Sequence, residues 1–88
     1  MTDRLALILS EDWAIHYDNC QWMLMKARKL RSERKWHPQG YVGGRKATLE
    51  RLTRKKGVPV TPAAQQVIDT WPDRFLDWLA QQDRRAAA

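Results

Sequence analysis

The stretch Gln21-Trp22-Met23-Leu24-Met25-Lys26-Ala27-Arg28-Lys29-Leu30 decides the fold. Read as a strand, it lines Trp22, Leu24, Lys26 and Arg28 along one side and Met23, Met25, Ala27 and Lys29 along the other. Read as a helix, its Met, Leu, Ala, Lys and Arg all have good propensity. What precedes it favours the strand. Trp13 to Tyr17 alternates large with small or polar residues, so Trp13, Ile15 and Tyr17 share a strand face. Asp18-Asn19 is a turn signal, and a hairpin is the short connection between two such strands. An aromatic at the start of each strand suits cross-strand pairing. The helix stays open as the alternative for residues 21–30.

On the N-terminal side, Leu5 to Leu9 is a continuous apolar run, read as a buried strand, and Ser10-Glu11-Asp12 breaks it. On the other side, Arg31-Ser32-Glu33-Arg34-Lys35 reads as a charged loop. Trp36 to Val42 follows as an edge strand or irregular extended segment, because Pro38 lacks a ladder donor. Gly43-Gly44 hands over to a helix at Arg45–Lys56, apolar at Leu49 and Leu52 and basic elsewhere. Gly57 is a natural residue just past its end, with Pro59 as a stop. Thr61-Pro62 is an N-cap followed by Pro at the first helical position. Ala64, Val67, Ile68 and Trp71 then repeat at helical spacing. Pro72 cannot donate to the Ile68 carbonyl, so the helix kinks or restarts there. Phe75, Leu76, Trp78 and Leu79 continue the apolar stripe, and Asp69, Asp73 and Asp77 predict an acidic ridge beside it. The expected fold is α+β: a small antiparallel sheet of three to four strands with two C-terminal helices packed on one face. One domain is expected over residues 1–83, with 84–88 a disordered tail.

Charge carries the functional signal. From Lys26 to Lys56 the chain has twelve Lys/Arg against two acids, a local +10 within an overall +6; the remainder is −4. A block this polarised points to an anionic partner, nucleic acid first. Lys/Arg neutralisation of phosphates supplies most non-specific affinity, and a β-ribbon can enter the major groove. The candidate nucleic-acid-binding residues are Lys26, Arg28, Lys29, Arg31, Arg34 and Lys35 around the charged loop, with Arg45 and Lys46 opening the helix. Trp22 and Trp36 are candidate base-stacking platforms beside them. A solvated face is the plainer reading of the charges, and core is the plainer reading of the tryptophans. Gly40 and Gly43-Gly44 before Arg45 and Lys46 allow a phosphate-cradling loop or a simple turn, and no P-loop motif is present.

Other classes of site are poorly supplied. One cysteine, Cys20, and two histidines, His16 and His37, exclude an internal disulfide and any four-ligand Cys/His zinc site. Asp12 and His16 share metal-ligand spacing only on a helix, where a strand is expected. Cys20 has no evident base. The expectation is a non-enzymatic protein without cofactor or metal. Five tryptophans and a hydrophobic fraction of 43% argue for a folded core over disorder. No apolar stretch reaches membrane-spanning length, and the cysteine usage suits a reducing compartment, so a cytoplasmic location is expected. An exposed apolar patch on a chain this small admits a homodimer.

Trp36-His37-Pro38-Gln39-Gly40-Tyr41 followed by Ala47-Thr48-Leu49-Glu50-Arg51-Leu52, after an aromatic-led hairpin and a charged loop, resembles small accessory proteins encoded in bacteriophage and prophage genomes. There, a Trp and a Tyr flank a short strand and a helix with spaced Leu and Ala follows. The resemblance spans residues 13–80 in element order and 36–52 in motif, and Gly43-Gly44 departs from it. It implies a phage context, in which such proteins bind DNA, or dock on a host nucleic-acid-handling complex as anti-CRISPR-like inhibitors do. Three strands ahead of a helix are also similar in architecture to the arm-binding domains of phage integrases, which insert a sheet into the DNA major groove. The expected function is DNA or RNA binding through the basic hairpin and the helix that follows; the alternative is an anti-defence inhibitor that docks on a host protein complex.

Overall fold

Asp18 settles the reading of residues 21–30. Its carboxylate accepts hydrogen bonds from the N–H groups of Cys20 (2.7 Å) and Gln21 (3.0 Å), and its own N–H donates to the Gln21 carbonyl (3.1 Å). The turn so closed sends the chain straight back as a strand. The computed structural model describes residues 4–30 and 33–87, with side chains at 4–28 and 35–85. Its strands are β1 (Arg4–Ser10), β2 (Trp13–Tyr17), β3 (Trp22–Leu30) and β4 (Glu33–Val42). They form one antiparallel sheet in the order β1-β2-β3-β4. The aromatics do pair, but not start to start. Antiparallel register sets Tyr17 opposite Trp22, whereas Trp13 faces Lys26. β4 is an edge strand, as Pro38 requires, and shifts register by one residue between Gly40 and Pro38. It begins earlier than expected, because Glu33, Arg34 and Lys35 belong to the strand rather than to a loop.

Three helices follow: α1 (Lys46–Lys55), α2 (Pro62–Asp69) and α3 (Phe75–Ala87). At the end of α1, Gly57 adopts φ 67° while Val58 N–H bonds the Thr53 carbonyl and Gly57 N–H that of Arg54, the paired closure that favours glycine. The Thr61 hydroxyl accepts from Ala64 N–H (3.2 Å) and caps α2. Pro72 makes a full break where one interrupted helix was expected. The Ile68 carbonyl, which Pro72 cannot serve, takes the Trp71 N–H instead (2.9 Å), and the chain restarts at Phe75. The break scatters the expected acidic ridge. Asp69 ends α2, Asp73 lies in the connection, and only Asp77 is in α3. α3 runs on through Arg84 to Ala87, residues expected to fray. Among the described residues no helix is long and apolar enough to cross a membrane.

The helices cover one face of the sheet. Leu9, Ile15, Tyr17, Trp22, Leu24 and Val42 from the strands meet Leu49, Ala64, Ile68, Phe75 and Trp78. Trp22 is its centre, stacked on Trp71 (centroids 5.9 Å) and edge-on to Phe75 (5.2 Å), while Tyr17 meets Trp78 edge-on at 4.7 Å. The opposite face carries no helix. There His16 on β2 and Trp36 on β4 reach each other over β3 (5.6 Å), and Ala14, Met23, Met25 and Ala27 beside them are buried. Leu5, Ile8 and Tyr41 stay exposed.

Candidate nucleic-acid interface

The β3–β4 hairpin is longer than the sheet it belongs to. β2 pairs with β3 only from Trp22 to Lys26, and the Ala27 N–H makes the last bond to that side, to the Asp12 carbonyl (2.8 Å). Past that point β3 and β4 continue alone through the pairs Arg28↔Lys35, Lys29↔Arg34 and Leu30↔Glu33. At about 3.3 Å per residue, those three rungs carry a two-stranded ribbon roughly 10 Å beyond β2. Two successive rungs place residues of like charge directly opposite each other, which is unfavourable for an isolated ribbon.

The expected site residues divide into two groups. Lys26, Arg28 and Lys35 are exposed at the base and flank of the ribbon. The Lys26 ammonium sits 5.3 Å from the Trp13 ring centroid. Lys29 and Arg34 occupy ribbon positions in the register. Arg31, expected at the tip, lies outside the described residues.

Arg45 and Lys46 do not join them. Val42 pairs with Trp22 at the end of the sheet opposite the ribbon. The seven residue steps along β4 from Lys35 to Val42 therefore separate the groups by roughly 20 Å. Arg45 approaches Asp73 (Nε–Oδ2 3.8 Å). Lys46 Nζ donates to the carbonyls of Trp71 (3.0 Å) and Ile68 (3.3 Å), so its charge closes the C-terminus of α2. We expect Lys46→Met to lower stability by about 1–2 kcal/mol in urea unfolding. Unchanged stability would show that the ammonium does not hold that helix end. The adjoining glycine loop is a turn rather than a phosphate cradle. The Gly44 carbonyl accepts from Phe75 N–H (2.9 Å) and Lys46 N–H donates to the Asp73 carbonyl (2.6 Å), which ties the loop to the α2–α3 connection.

The tryptophans are also reassigned. Trp22 is fully buried and offers no surface to a base. Trp36 is half-buried against His16. The periodicity of β3 already placed Trp22 beside Leu24, on the face that a helix layer must cover.

Sequence reasoning left out the end of α1. The helix starts beside Val42, lays Leu52 over Gly40, and is followed by Thr61, whose N–H bonds the Leu9 carbonyl near the β1–β2 turn. That turn and the ribbon leave the same end of the sheet, so α1 runs back toward the ribbon. A Cβ at residue 40 would stand 2.6 Å from a Leu52 methyl, which is why glycine suits this crossing. Arg54, Lys55 and Lys56, all exposed, close α1 past its crossing over Gly40, in the part of the helix that runs toward the ribbon. The signal available in the sequence was their position in the last turn of a helix that must return across the sheet. Among the described residues no three His, Cys, Asp or Glu side chains are grouped to hold a metal ion. No protein-family model, curated protein or solved structure matches the chain.

Proposed function

We propose that this is a binding protein of the phage accessory type that engages nucleic acid through its β3–β4 ribbon. The ribbon's like-charged rungs carry the reading: Arg28 opposite Lys35 and Lys29 opposite Arg34, extended beyond the sheet. An anionic backbone laid along them meets a dense row of positive charge and releases counterions. The test is a fluorescence-anisotropy titration of labelled DNA over a range of salt. Binding should weaken steeply with salt, and the pair R28E/K35E should lose about 100-fold in affinity. An equal charge change at Arg84 and Arg85, on α3, should alter it by no more than a few-fold. A folded R28E/K35E variant that binds as before refutes the reading.

A second reading has its own observation. Leu5, Ile8 and Tyr41 are exposed on the helix-free face of the sheet, an apolar surface suited to a protein partner. An anti-defence inhibitor docking there on a nucleic-acid-handling complex would depend on Tyr41 and Ile8 and tolerate R28E/K35E.

A further inference from the structure

Resting on the ribbon as a nucleic-acid arm, we infer that its ligand is B-form duplex DNA, entered through the major groove, with the end of α1 on the flanking phosphates. The dimensions favour this. A major groove about 12 Å wide and about 8.5 Å deep admits a two-stranded ribbon, and this one projects roughly 10 Å past β2. The major groove of A-form RNA is too narrow and deep for side chains to read.

The composition of the arm points the same way. Single strands are held largely by stacking bases on aromatic rings. Residues 28–35, Arg-Lys-Leu-Arg-Ser-Glu-Arg-Lys, contain no aromatic. The nearest rings are committed elsewhere: Trp22 to the core, Trp36 to His16, and Trp13 under the Lys26 ammonium. What the arm does offer is charge and donors, and an arginine such as Arg28 can give two hydrogen bonds to one guanine edge.

α1 supplies a second, separate contact. Arg54 and Lys55 stand in its last turn with Lys56 just after, in the part of α1 that runs toward the ribbon. They offset the negative end of the helix dipole and present a cluster suited to phosphate. Ribbon and helix end then divide the work, base edges for one and backbone positioning for the other.

The test uses the full chain and three probes of equal length at one salt concentration: mixed-sequence duplex DNA, single-stranded DNA and duplex RNA. Duplex DNA should bind at least about tenfold more tightly than either other probe. Methyl green, which occupies the major groove, should compete, and netropsin, a minor-groove ligand, should not. R54E/K55E should weaken duplex binding about tenfold and flatten the log–log salt slope by about two, equally for all sequences. Equal affinity for single strands or duplex RNA, or competition by netropsin alone, overturns this inference and leaves the ribbon reading standing. Absence of binding to all three probes removes both.

Discussion

Replacing residues 29–34 with Asn-Gly, and Arg28 and Lys35 with Thr, should leave the fold intact and abolish nucleic-acid binding. The splice point follows from the backbone. The Ala27 N–H faces β2 through its bond to Asp12, so the next residue, Arg28, is the one whose backbone faces Lys35. A pair of that kind accepts a two-residue turn, and Asn-Gly is the sequence such turns prefer. Threonine keeps strand propensity without charge. Among the described side chains of β3, Ala27 is the last that is buried, and the shortened hairpin keeps it. Thermal melting by circular dichroism should shift by only a few degrees, and affinity should fall by at least about 100-fold. A variant that no longer melts cooperatively would make the ribbon part of the folding unit. Retained binding would move the site elsewhere.

Trp22→Ala should have the largest effect on stability. The ring is completely buried and meets Trp71, Phe75 and Trp78 at once, linking the sheet to α3 and to the α2–α3 connection. Truncating a buried Trp costs about 3–5 kcal/mol, a large part of the about 5–15 kcal/mol that a small domain possesses. Trp22→Phe should be much milder, about 1–2 kcal/mol. The indole Nε1 is buried without a hydrogen-bond partner, so the change removes volume but no hydrogen bond. Urea unfolding of the two variants makes the comparison. Similar losses for both would show that the indole N–H matters more than the ring's bulk.

The fold was legible wherever a local rule acts alone. Asp18 marks a turn because its carboxylate can bind the N–H groups two and three residues on. Thr61-Pro62 marks a helix start, and Gly57 a helix end. These rules require no knowledge of distant residues, and the structure follows each one. The candidate site was harder to read, because grouping its charges requires the third dimension. Arg45 and Lys46 lie within eleven residues of Lys35, yet β4 carries them to the opposite end of the sheet. Arg54 and Lys55 are farther along the chain, and α1 brings them back. The tryptophans posed the same difficulty. Alternation fixes which side of a strand a ring takes, but only the helix layer determines which side is covered. Pro72 was ambiguous between a kink and a break until Trp71 N–H and Lys46 took up the carbonyl it leaves unserved.

The strand order β1-β2-β3-β4 also bears on how the molecule is made. Every pairing in the sheet joins consecutive strands, so each new strand can zip onto its predecessor as it leaves the ribosome. The helices close the structure through sequence-distant bonds, Thr61 to Leu9 and Phe75 to Gly44. During synthesis the basic hairpin is therefore assembled before α2 and α3 exist, beside a ribosome that is itself rich in RNA phosphate. Four of the ten acidic residues, Asp69, Asp73, Asp77 and Asp83, follow with α2, α3 and their connection, as the domain completes its core.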